Sequence, residues 1–137
     1  MITPKNMADS SKTHIVNFMT AALSAGSDVA DFPAFRAPKD IEIIEIGIMP
    51  TATYTGHADK STWLFENGSS AIATKEYTAT EGHTPPSANT YDSMGAITAA
   101  NKKMSEGDIL SYSITNGAGA ATPICMVQIE YIVDEVL

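Results

Sequence analysis

The stretch Ile41-Glu42-Ile43-Ile44-Glu45-Ile46-Gly47-Ile48-Met49-Pro50 decides the class of fold. Isoleucine loses rotamers in a helix and packs well on a pleated surface. The run therefore predicts a strand, and Pro50, which lacks a donor for a ladder, ends it. Alternation puts Ile41 and Ile43 on one face, but Ile44, Ile46 and Ile48 fall on the other. A switch of parity like this implies a bulge near Ile43 and Ile44, or burial on both faces.

The rest of the chain has the same bias. Ile and Val together number 19 against 4 Leu, there are 15 Thr, and straight-chain helix formers other than Ala are scarce. Working outward, Ser61–Asn67 reads as a strand, and Asn67-Gly68 as the type I′ turn of a hairpin returning through Ala71–Ala79. Ile109–Thr115 alternates, with Leu110, Tyr112 and Ile114 facing in. The last strand runs from Pro123 to about Val136, with Cys125, Val127, Ile129, Tyr131 and Val133 on one face. Met126, Gln128, Glu130 and Asp134 lie on the other, with Ile132 as its apolar exception.

On the N-terminal side a strand is expected from Thr13 to Leu23, with His14, Val16 and Phe18 on a common face. Residues 24–40 carry Gly26, Asp28, Asp31, Pro33 and Pro38 and read as a loop, pinned by Phe32 and Phe35. Asn89–Ala99 offers one or two short strands. Residues 1–12 read as a flexible polar arm and 13–137 as one domain. The expected fold is all-β: an antiparallel β-sandwich or jelly roll of about eight strands with an extended N-terminal arm.

Length and charge narrow the function. One core suffices for 137 residues. The net charge of −8 leaves no basic face for nucleic acid and nothing to hold an anionic membrane, since Lys102 and Lys103 stand alone. No run is long and apolar enough for a membrane helix. The segment Ile15–Leu23 is interrupted by Asn17 and Thr20 and reads as mature sequence rather than a signal peptide.

Searching for chemistry yields no constellation. His14, His57 and His83 are scattered, and His57-Ala58-Asp59 alone does not make a metal site. Glu106-Gly107-Asp108 reads as turn chemistry, and Gly117-Ala118-Gly119 lacks the lysine and helix of a phosphate loop. Cys125 sits among apolar neighbours as a small hydrophobe. We expect no enzyme, no catalytic residue, no cofactor and no metal. What stands out is apolar surface to spare. Strand 41–49 and the last strand are apolar on both faces, which implies a partner subunit. Ile44, Ile46, Met126 and Ile132 are the expected oligomer interface.

Five features resemble the small head-decoration proteins of tailed bacteriophages and related viruses. They are Glu45-Ile46-Gly47-Ile48-Met49-Pro50, Trp63-Leu64-Phe65-Glu66-Asn67-Gly68, Glu106-Gly107-Asp108-Ile109-Leu110-Ser111-Tyr112, the glycine-rich loop, and Pro123-Ile124-Cys125-Met126-Val127-Gln128-Ile129-Glu130-Tyr131. The resemblance implies a jelly-roll homotrimer, made in the host cytoplasm, that binds the major capsid protein on the outside of the virion and cements the shell. Arm residues Ile2, Pro4, Lys5 and Met7 would then touch the capsid. The alternative is a carbohydrate-binding or host-attachment sandwich using Tyr54, Trp63, Tyr77 or Tyr91.

Overall fold

The structure, a computed structural model, describes residues 12–55, 58–79 and 83–134. Its strands are β1 (Thr13–Met19), β2 (Val29–Arg36), β3 (Ile41–Pro50), β4 (Ser61–Asn67), β5 (Ser70–Tyr77), β6 (Asp92–Ser93), β7 (Lys103–Met104), β8 (Ile109–Asn116) and β9 (Cys125–Val133). No helix occurs among the described residues.

Two antiparallel sheets face each other. One runs β1-β9-β3-β6, with β7 also paired to β3, and the other runs β2-β8-β4-β5. The first three strands alternate between the sheets, and the last strand returns to lie between the first and third. This is the interleaved order of a jelly roll, so the expected fold class holds, with nine strands rather than about eight.

The parity switch in β3 is a bulge. Ile43 pairs with Tyr131, and the next registered pair is Glu45 with Glu130, leaving Ile44 as the extra residue. The bulge resets the alternation, so Ile41, Ile43, Ile46 and Ile48 all point into the core while Ile44 is 44% exposed. Ile46 is thereby removed from the expected oligomer interface, being fully buried, and β3 is not apolar on both faces as expected, since its outer side carries Glu42 and Glu45.

The segment expected to be a loop at residues 24–40 contains β2. Its turn-forming residues are real, but an edge strand tolerates them. The β2–β8 register slips between Val29 and Phe32 and again between Pro33 and Phe35, and Asp31 has a positive φ of 47°. Other boundaries also move. β1 ends at Met19 rather than Leu23, and β9 starts at Cys125. The hairpin turn lies one residue later than expected. Asn67 pairs with Ser70, so Gly68 and Ser69 are its central residues, and only Gly68 has a positive φ, 61°. That is the pattern of a type II′ turn, not I′.

The core lies between the sheets. Trp63 and Phe65 of β4, Tyr112 of β8, Ile72 and Tyr77 of β5, and the β3 isoleucines meet Val127 and Ile129 of β9. The Trp63 ring stacks at 6.0 Å from Phe65 and 6.1 Å from Tyr112. Buried polar groups are satisfied. The Trp63 indole N–H donates to the Tyr54 hydroxyl at 3.0 Å, and the Tyr77 hydroxyl donates to Asp92, which also binds the Lys75 ammonium at 2.7 Å. Such pairing removes the cost of burying those groups.

Candidate assembly surface

The outer face of the β1-β9-β3 sheet is built row by row from the strand register. Met19, Met126 and Met49 stand side by side across three strands. The next row is Asn17, Gln128 and Gly47, and the next Ile15, Glu130 and Glu45. Beyond lie Thr13, Ile132 and Glu42.

Gly47 is small for a stated reason. The Tyr91 ring lies directly over it, and a Cβ there would collide with that ring. The Tyr91 hydroxyl donates to Glu45 at 2.8 Å, which ties the segment before β6 onto the face. Burial, then that hydrogen bond, push the Tyr91 hydroxyl above its ordinary pKa. Glu45 and Glu130 are directly opposed like charges, an unfavourable cross-strand pair. The Tyr91 hydroxyl and the Gln128 amide, 3.4 Å from Glu130, supply donors to the two carboxylates.

The face ends at β1, an edge strand. Thr13, Ile15, Asn17 and Met19 are exposed, with Ile15 at 55% and Met19 at 57%. Round this edge lies an open apolar groove of about 230 Å³, lined by Met19, Ala21, Leu23, Val29, Phe32 and Tyr112. β1 and β2 are its two rims. Phe32, 52% exposed, rests on Tyr112 at 5.5 Å, and Tyr112 also stacks on Phe18 at 5.7 Å. Methionine row, edge and groove thus form one uncharged surface on an acidic protein.

The sequence-based site residues fare differently. Met126 and Ile132 lie half-buried on this outer face, in separate rows, and Ile44 stands exposed at the bulge. Ile46 belongs to the core. Ile2, Pro4, Lys5 and Met7 lie outside the described residues, as does His57. Of the aromatics considered for sugar binding, Trp63, Tyr77 and Tyr54 are buried, and Tyr91 is 39% exposed. Met19, Met49 and Ile15 were not singled out from the sequence, and Phe32, expected to pin a loop to the core, stands 52% exposed on the groove instead. The signal that joins the methionines is strand register, which a linear pattern does not carry.

Other candidate groups serve the scaffold. Cys125 is fully buried, and burial pushes its thiol up to about 12, so little thiolate forms at neutral pH. The Asp108 carboxylate accepts from Asn67 at 3.0 Å and from the Ser105 N–H at 2.9 Å, which hold it below its ordinary pKa. This is turn chemistry around Gly107. The glycine-rich loop is closed from outside, where the Gly119 N–H donates to Asp59 at 2.6 Å. His14 stacks on Tyr131 at 5.2 Å. Among the described residues, no group of three or more His, Cys, Asp or Glu is placed to hold a metal ion.

Comparison with known proteins adds little. No family model matches the chain, and no curated protein matches it. It is similar to a solved chain from Bacillus described in the words "Bacillus endospore appendages form a novel family of disulfide-linked pili". The two are 18% identical over 91% of this chain and 94% of that one, with a TM-score of 0.43.

Proposed function

We propose that this chain is a structural, non-catalytic subunit of a virus particle, which binds the outer surface of the capsid as a homo-oligomer and stabilises the head. The observation that carries the reading is the continuous uncharged surface formed by Met19, Met126 and Met49, the β1 edge and the groove. It is exposed on a protein whose net charge is −8. A monomer that works alone gains nothing from such a surface, whereas an assembly subunit covers it. The threefold symmetry and the major capsid protein as partner come from the sequence resemblance. A trimer on a threefold site multiplies a weak contact by avidity. The acidic charge suits an outer position on a shell packed with nucleic acid.

Cosedimentation with shells of the cognate major capsid protein tests the reading. Saturable binding at a fixed ratio to shell subunits is expected, with a marked loss for Met19→Lys. A chain that ignores the shell but binds on a glycan array belongs to a host-attachment module instead.

A further inference from the structure

The jelly roll has four sheet edges, and three of them are guarded. The far edge of β3 is covered by two-residue strands, and by Met94 and Lys102 bonded to Ile46 and Ile43. The β5 edge is covered where Thr98 donates to Ile72 and His83 to Glu76, while the Asn101 amide donates to Ala71. β2 is broken by two register shifts, Pro33 and Asp31. Among the described residues, β1 has none of these devices. Its register against β9 is unbroken from Thr13 to Met19, it holds no proline, and no Asp, Glu, Lys or Arg lies within it.

The free backbone groups of β1 can be assigned. The Thr20 N–H donates to the Cys125 carbonyl at 2.9 Å, so ladder alternation turns Phe18, Val16 and His14 toward β9. Thr13, Ile15, Asn17 and Met19 then present their N–H and C=O groups to the open side. We propose that β1 pairs antiparallel with β1 of a second copy, about a twofold axis at Val16. That axis sets Ile15 opposite Asn17 of the other copy and Thr13 opposite Met19, so every free backbone group finds a partner. Val16 faces its own copy as a non-hydrogen-bonded pair, whose Cα atoms are about 4.5 Å apart.

The occupant follows from the count of edges and from charge. Each copy carries one unguarded edge among the described residues, so pairing two copies leaves none over. The edge is uncharged, so two acidic proteins meet there without opposing like charges. The axis also brings His14 of one copy beside Phe18 of the other, where Phe18 already stacks on Tyr112 at the groove. The contact takes the β1 edge and leaves Met126 of β9 and Met49 of β3 on the outer face for the proposed shell contact. It holds whether or not the shell-binding reading does.

Light scattering on the full chain tests it. Asn17→Pro removes an outward N–H and no bond to β9. The wild-type particle should have twice the mass of the Asn17→Pro particle, with both retaining the same β-sheet circular dichroism. Val16→Cys should give a disulfide-linked dimer on a non-reducing gel under mild oxidation, while Thr13→Cys, far from its own copy, should not. Equal masses for wild type and Asn17→Pro, or a Val16→Cys protein that stays unlinked, overturn the proposal. So does a doubled mass appearing only after deletion of residues 1–11, which would make the chain's own N-terminal segment the occupant.

Discussion

β1 and β2 border the same groove from opposite sheets, and both are edge strands, yet they are built on contrary plans. β1 is regular, uncharged and unbroken over its seven residues. β2 spends eight residues on two slips, a positive-φ aspartate and a proline. An edge with proline and bulges cannot template another strand, whereas a regular edge can. Under the strand pairing proposed above, that difference sets where the molecule admits neighbours, with one rim of the groove blocked and the other left open.

The largest expected effect tests the support the two rims share. Tyr112 lies beneath both, against Phe18 and Phe32, and is 5% exposed. Tyr112→Ala should cost about 3–5 kcal/mol, read from urea unfolding. A loss below about 1 kcal/mol would mean that the rims are supported independently. Next in size is Ile15→Lys on β1. Stability should stay within about 0.5 kcal/mol, because Ile15 is exposed, while self-association measured by sedimentation falls sharply. A drop in stability with association intact would reverse the roles given to this face.

Pro33→Ala tests the other rim. It should change stability by no more than about 1 kcal/mol. It restores a backbone donor to β2, so weak new association is expected at high concentration by light scattering. If association is unchanged, the two bulges alone guard that edge. The smallest effect is on pH dependence. The Cys125 thiol has a folded-state pKa raised by burial to about 12. A raised pKa means its contribution is present below the unfolded thiol pKa and is lost as pH rises from there through about 12. Thermal melts should therefore fall through that alkaline window, and less so for Cys125→Ala after correction for its own destabilisation. In the folded protein the thiol should resist alkylation at pH 8.

Much of the fold was legible in the chain. Period-two patterning places β4, β8 and β9 within a few residues, and the parity switch at Ile43 and Ile44 marks the bulge. β2 was hidden because Asp31 and Pro33 read as loop residues, and local propensity cannot tell a loop from an edge strand that has no partner on one side. Ile46 was placed outside for a related reason. A bulge was one of two readings of the parity switch, burial on both faces being the other, and which side faced the core depended on β9, some eighty positions away. Of the assembly surface, Met126, Ile132 and Ile44 were visible as apolar residues in outward positions. Met19 and Met49 were not, because adjacency across strands is a property of register.

The sequence by itself determined the class of structure. Isoleucine and valine stiffen the chain into strands, turn residues divide it, and too few charged groups cluster for obvious chemistry. Those are local effects that each segment carries with it. The tertiary structure alone decided which edges stay open and which apolar residues become surface. Both depend on which distant strand supplies the second half of each ladder, and that choice is made by the packing of two sheets around one core.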